Sequence, residues 1–323
     1  MSDFSTVGPL WPEMRFVQRS WLSANNIVFN QGRAAVVDTG YCTEAQATVQ
    51  GVRQALQGQT LAHIVNTHLH SDHCGGNAAL QAAWPQVQTW VAPGQLALVQ
   101  AWDPVGLSYA PTGQRCPQFR ADGVVQPGAT VQLGLRDWQV HAAPGHDPHS
   151  VVLFEPQRRL LISADALWER GFGVVFPELE GEQAFAEVGA TLDVIEQLQP
   201  EWVLPGHGGM FSDVAGALAV ARKRLADFQA DPPAPCAVRG QGVVEIQIAG
   251  MAAGQLPASA GLVRQHAADA ADAPALLCRS RPCGLGASAF AGAGGGPGGG
   301  VGGRSGAQCG LIFEAVCACY YWF

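Results

Sequence analysis

The sequence predicts an α+β protein built as an α/β sandwich, two sheets packed face to face with helices on their outer sides. Three observations carry this. Short apolar runs of strand length, edged by Asn, Gly or Asp, open a first half that reads βββαβα. A second half reads ββββαβα, so the pattern comes twice, as in a fold with a sheet in each half. A content of 48% hydrophobic residues in 323 is ample for the core that two packed sheets need.

Taken in order, "FVQRSW", "NNIVFN" and "AAVVDTG" between Phe16 and Gly40 read as the strands of a meander. Thr43 is placed to N-cap a helix that runs to about Leu56 and is ended by Gly58. "AHIVNTH" is a buried strand, and a helix over "NAALQAAW" stops at Pro85. The strand "VQTWVA" and a short helix from Gln95 to Trp102 lead into a long irregular stretch, "DPVGLSYAPTGQRCPQF". Four strands follow, around "ATVQLG", "WQVHAAPG", "SVVLFEP" and "RLLISAD". The half closes with a helix from Glu182 to Leu198, the strand and loop "EWVLPGHG", and an amphipathic helix from Ser212, its cap, to Gln229.

These elements define one domain over residues 1–231. Residues 232–323 differ in kind: they hold six of the nine cysteines, the tract "GAGGGPGGGVGG" and no sustained period of helix or strand. Two readings of this Gly/Ala-rich stretch stay open, a disordered tail and translation out of frame, because GC-rich DNA in the wrong register yields Ala, Gly, Arg and Pro. No function is assigned to it.

The formal charge of −8 and a single lysine, Lys223, leave no basic stripe to neutralise phosphates, which excludes a nucleic-acid partner and favours a small-molecule substrate. No uninterrupted run approaches 18 apolar residues, and "MSDFSTVGPLWPEM" has no basic region ahead of an apolar one, so no membrane association is expected. Cys42, Cys74 and Cys116 lack a paired spacing, which suits reduced thiols and a cytoplasmic protein. Oligomeric state leaves no trace in the sequence.

The chemistry concentrates in "THLHSDHCGGN", where His68, His70, Asp72 and His73 fall within six positions. Imidazole and carboxylate are metal-ligating groups, so such a cluster asks for further ligands elsewhere. The chain supplies three, each where a strand runs into a loop: His146 in "HAAPGHDPHS", Asp165 in "LLISADALWE" and His207 in "WVLPGHGG".

This series, HxHxDH followed by a single His, Asp and His at growing intervals, with "VVDTG" and its Asp38 ahead of it, resembles the metallo-β-lactamase superfamily from about Phe16 to Gln229. The resemblance implies a four-layer αββα fold and a two-metal site at the sheet edge. His68, His70 and His146 would hold one ion, Asp72, His73 and His207 the other, and Asp165 would bridge them. It implies two divalent ions, zinc first, with iron or manganese as alternatives, and a metal-bridging hydroxide that attacks a carbonyl, with Asp72 orienting the water. An aspartate at position 165, where a true β-lactamase would carry serine or cysteine, resembles the thioesterase branch of glyoxalase II type. Thioesters, esters and lactones are the expected substrates. A mononuclear iron sulfur dioxygenase and an inactive metal-binding protein with a disrupted C-terminus are the alternatives.

Other residues are weighed against plainer roles. Asp38 is expected to support the site loops through local backbone N–H groups rather than to ligate. His149 is expected to hydrogen-bond beside the site, and His63 and His141 to be ordinary packed or edge residues of strands. Cys74 reads as a small buried thiol, and Gly75 and Gly76 as the turn that places His73. Trp168, Phe172 and Phe176 are candidates for core or for an apolar substrate wall, with Tyr109 opposite them.

Overall fold

The apolar runs become strands in the computed structural model, which describes residues 11–20, 23–179 and 182–230. The stretch 232–323 lies outside the described residues. A first sheet holds β1 (Met14–Val17), β2 (Asn26–Phe29), β3 (Ala35–Val37), β4 (His63–Val65), β5 (Gln88–Val91) and β6 (Gly123–Val124), side by side in chain order. Its first three strands form the antiparallel meander, and β3 to β6 run parallel. The second sheet contains β7 (Thr130–Leu133), β8 (Arg136–Ala142), β9 (Val151–Glu155), β10 (Leu160–Ala164) and β11 (Trp202–Pro205), in the order β11-β10-β9-β8-β7. Only β10 and β11 are parallel there.

Helices fill the connections: α1 (Ala45–Leu56), α2 (Ser71–Cys74), α3 (Asn77–Ala83), α4 (Leu96–Ala101), α5 (Tyr109–Thr112), α6 (Phe176–Leu179), α7 (Phe185–Leu198) and α8 (Val214–Ala230). The alternation of side chains along each strand builds the four layers. In β3, Ala35 and Val37 face the core between the sheets while Val36 faces the outer layer with Val49, Val52 and Leu56 of α1. In β10, Leu160 and Ile162 turn inward, and Leu161 meets Val188, Leu192 and Ile195 of α7. Both faces of these strands are covered, which is why they read as unbroken apolar runs rather than as alternating ones. Each large aliphatic or aromatic side chain buried this way contributes about 1.5–3 kcal/mol.

Several local expectations are corrected. Thr43 does not cap α1: a 3-10 turn over Cys42–Glu44 precedes it, and Glu44, at the cap position, sends its carboxylate to Arg19 and Ser20, both at 2.7 Å. The left-handed residue ending α1 is Gln57, at φ 51°, ahead of Gly58. Helix α8 is capped by Asp213 rather than Ser212, since Asp213 Oδ1 accepts the Gly216 N–H at 3.0 Å. Helix α7 starts at Phe185, three residues beyond the expected Glu182. The stretch read as irregular is ordered by Asp103, whose Oδ1 accepts the N–H groups of Val105 and Gly106, and by the burial of Leu107, Tyr109 and Phe119. Among the described residues no helix is long and apolar enough to cross a membrane.

Candidate metal centre

Five strand ends converge on one edge. Asp38 follows β3, the segment Thr67–His73 follows β4, His146 follows β8, Asp165 follows β10 and His207 follows β11. The chain is extended at His70, with φ −61° and ψ 145°, and enters α2 at the next residue. That change of conformation lets His68 and His70 address one point and Asp72 and His73 another. The side chains gather into two groups, His68, His70 and His146, then Asp72, His73, Asp165 and His207, with the ligand atoms of each within 4.8 Å of one another.

In the first group three ring nitrogens meet: His68 Nε2 is 3.1 Å from His70 Nδ1, His70 Nδ1 is 2.8 Å from His146 Nε2, and His146 Nε2 is 3.2 Å from His68 Nε2. The outer nitrogens decide what these atoms carry. His146 Nδ1–H donates to the Val174 carbonyl at 2.5 Å, which leaves a lone pair on Nε2. Thr67 gives its hydroxyl proton to Asp38 Oδ2 at 2.8 Å, so at 3.1 Å it accepts from His68 Nδ1–H, and His68 Nε2 carries a lone pair as well. Burial holds His68 well below the ordinary histidine value, helped by the neighbouring histidines, and burial with His70 beside it brings His146 to about 4.

The second group is held by Asp165. Its Oδ1 lies 3.3 Å from His73 Nε2 and 3.7 Å from His207 Nε2, while its Oδ2 lies 3.4 Å from His146 Nε2 in the first group. Asp72 Oδ2 is 3.1 Å from His207 Nε2 and 3.7 Å from His73 Nε2. Burial alone would lower the His73 imidazole, yet Asp165, Asp72 and Asp38 reverse this and hold it well above its usual value. Burial would likewise raise the carboxyls, but His73 and His207 bring Asp72 to about 2 and Asp165 well below the usual range.

The donor set fits divalent cations. The lone pairs of His68 Nε2 and His146 Nε2 face each other at 3.2 Å and repel unless a cation, or a proton on the intervening His70 Nδ1, sits among them. The buried Asp165 Oδ2 makes no hydrogen bond and faces the lone-paired His146 Nε2 at 3.4 Å, an arrangement that is costly unless another ligand takes it up. All seven residues singled out in the sequence come together here.

The neighbours follow the expectations less closely. Asp38 supports the loops, but across the fold rather than locally: Oδ1 accepts the Thr67 N–H at 2.9 Å and Oδ2 accepts from His73 Nδ1 at 2.8 Å. The His149 ring lies against Gly94, where an added Cβ would be 2.6 Å from it, and Asp147 is the residue that approaches His70, at 3.8 Å. Tyr109 is not an opposing wall: it is buried behind the ligand loop, donating to the Leu69 carbonyl at 2.8 Å with Cys74 Sγ at 3.1 Å. Cys74 is the buried thiol expected. Phe172 belongs to the core outside the second sheet, whereas Phe176 lies over His70 and His146, at 4.6 and 5.6 Å between ring centres.

Two glycines carry weight that spacing did not reveal. A Cβ on Gly206 would stand 2.3 Å from Asp165 Oδ1, and one on Gly173 2.6 Å from His146 Nδ1. The sole sequence signal for either is its place in a loop beside a ligand.

The family model of the metallo-beta-lactamase superfamily matches residues 19–207. The chain is 31% identical over 225 residues to a hydroxyacylglutathione hydrolase of Anaeromyxobacter dehalogenans (strain 2CP-C), a match covering 66% of this chain and 76% of that protein. It is 27% identical over 143 residues to the mitochondrial persulfide dioxygenase ETHE1 of Bos taurus, covering 44% of this chain and 47% of that one. Among solved structures, a beta-lactamase domain protein from Burkholderia ambifaria superposes with a TM-score of 0.56 at 24% identity, over 72% of this chain and 80% of its own, which shows the same fold.

Proposed function

The chain belongs to the metallo-β-lactamase superfamily, and from that premise we propose that it is a binuclear metal-dependent hydrolase acting on a small carbonyl substrate, a thioester, ester or lactone. His68, His70 and His146 would hold one ion and Asp72, His73 and His207 the other, with Asp165 placed to serve both. The observation that carries this reading is the attitude of the Asp165 carboxylate, with Oδ2 toward His146 and Oδ1 toward His73 and His207. A donor set of imidazole and carboxylate favours zinc, with iron or manganese as the other candidates, and two such ions supply a water of near-neutral pKa and Lewis acidity at a carbonyl oxygen.

The side chains do the rest. Asp72, 9% exposed where Asp165 is 1%, is the more open of the two carboxylates and orients the attacking water. Phe176, over His70 and His146, gives the acyl or leaving group an apolar surface. The thioester class comes first because the Anaeromyxobacter relative is named for an acylglutathione, which is a thioester. Cys74 and Cys116 are free thiols, in keeping with a cytoplasmic enzyme.

The test is metal content together with a screen of thioesters, lactones and β-lactams, repeated with Asp165→Ala and His207→Ala. Two ions per chain and loss of hydrolysis in both variants are expected. Turnover at the wild-type rate in both would refute the reading. A second reading, an iron-dependent sulfur dioxygenase, is favoured by the similarity to persulfide dioxygenase. One iron per chain after anaerobic purification, with oxygen uptake on a persulfide, would establish it in place of hydrolysis.

A further inference from the structure

Trp168 touches the second ligand group twice. Its indole Nε1–H donates to Asp165 Oδ1 at 3.3 Å, and its ring meets the His207 ring edge-on, 5.5 Å between centres. The loop that brings it there is tightly held. Ala164 sits at φ 46°, in the region that side chains rarely adopt, so the chain turns sharply as β10 ends. Ser163 Oγ donates to the Leu167 carbonyl at 2.6 Å, the Trp168 N–H to the Gly171 carbonyl at 2.7 Å, and the Gly173 N–H to the Asp165 carbonyl at 2.8 Å. The indole therefore has little freedom to leave Asp165, and it is 6% exposed.

Asp165 Oδ1 is the oxygen that faces His73 and His207. A carboxylate oxygen has two lone pairs, so one can accept from the indole while the other is aimed at an ion between those histidines. We infer that Trp168 is a positioning residue for the second ion: its N–H fixes the rotation of the Asp165 carboxylate, and its ring sets the plane of His207. This rests on the two-ion reading above. An indole in this role keeps the carboxylate shared; without it Oδ1 can turn away from His73 and His207 and leave the second group a ligand short.

Trp168→Phe keeps an aromatic ring beside His207 and removes the N–H. Partners that orient ligands in this way are worth roughly 10–100-fold in metal affinity, so the second ion should bind that much more weakly in the variant while the first is unaffected. Cobalt titration reads this without turnover: the absorption bands of the first equivalent should match wild type, and those of the second should weaken and shift. With saturating metal, kcat should fall and KM stay near wild type. Circular dichroism and thermal unfolding of the metal-free variant check that it folds. A variant that folds and takes up its second cobalt with wild-type affinity and spectrum overturns the role of Trp168 alone. A wild-type protein that binds only one ion overturns both this inference and the two-ion reading.

Discussion

The Nδ1 of His73 stands 2.8 Å from Oδ2 of Asp38, and the two side chains are buried, at 0% and 3% exposure. The pair joins the end of β3 to the helical turn after β4, and it directs His73 Nε2 toward Asp72 and Asp165. Asp38 itself adopts φ 54°, a left-handed conformation that Asp tolerates better than most residues and that aims its carboxylate across the sheet.

Removing that carboxylate should be felt in two ways. Asp38→Asn retains the shape but puts an amide where two acceptor oxygens now serve Thr67 and His73, so metal affinity at the second group should fall roughly 10–100-fold. Asp38→Ala leaves His73 without its buried partner and should cost about 3–5 kcal/mol of stability. Metal competition against a chelator checks the first, and denaturant unfolding of the metal-free protein the second. Unchanged affinity in Asp38→Asn would remove Asp38 from the site.

The same pair gives metal loading a pH signature. A histidine whose folded pKa is raised contributes stability that is complete below the unfolded value, 6.5, and is lost as pH rises through the folded value. The metal-free protein should therefore lose stability on the alkaline side of neutrality. Ligation needs the neutral ring, so filling the second group at pH 7 should release the His73 proton, whereas His68 and His146 are already neutral and release none. Proton counting in weakly buffered titrations should find more protons given up with the second equivalent of metal than with the first. A larger release with the first equivalent instead would reverse the assignment.

Away from the site, His63 on β4 is buried against Trp90, 4.5 Å between ring centres. Burial first, and Arg33 second, hold its imidazole below the usual 6.5. The unfolded chain then binds this proton more readily than the folded one, so stability falls as pH drops below 6.5 toward the folded value. His63→Phe should flatten that part of the stability curve. Urea midpoints between pH 5 and 7 make the comparison, and an equal slope in the variant would assign the effect to other groups.

The positions of the candidate ligands were legible because each lies at a strand end, and strands of this composition declare themselves as apolar runs. His68, His146, Asp165 and His207 needed only that logic to be brought together. What spacing could not reveal depends on three-dimensional approach. Asp38 reaches Thr67, 29 residues away, where local reasoning looked only for its neighbours' N–H groups. Tyr109 and His149 lie close to the ligand loops in the fold yet face elsewhere, Tyr109 toward the Leu69 carbonyl and His149 toward Gly94. The short elements α2, α6 and β6 carry too few residues to show a period. The cap of α8 slipped by one position because Ser212 and Asp213 are both good capping residues, and only geometry chooses between them.

Gly206 offers the sharpest test of how closely the chain is fitted around Asp165. A Cβ there would stand 2.3 Å from Asp165 Oδ1 and 2.9 Å from His73 Cε1, both in the second ligand group. Backbone relief is limited, since the Gly206 N–H donates to the Ala164 carbonyl at 2.8 Å and its own carbonyl accepts the Asn25 N–H at 2.7 Å. The methyl of Gly206→Ala must therefore push the carboxylate or the imidazole. Overpacking of this kind costs about 1–3 kcal/mol in stability. Displacing a reacting geometry by about 1 Å costs on the order of 100-fold in rate, so hydrolysis should fall much further than stability does. Thermal unfolding and steady-state kinetics on the same preparation separate the two. Gly208, in the same loop, has no heavy atom within 4 Å of its would-be Cβ, but its φ of +81° strains any side chain. Gly208→Ala should consequently lose stability with little change in the rate per folded molecule, and equal rate losses in the two variants would show that loop strain, not contact with Asp165, is what Gly206 avoids.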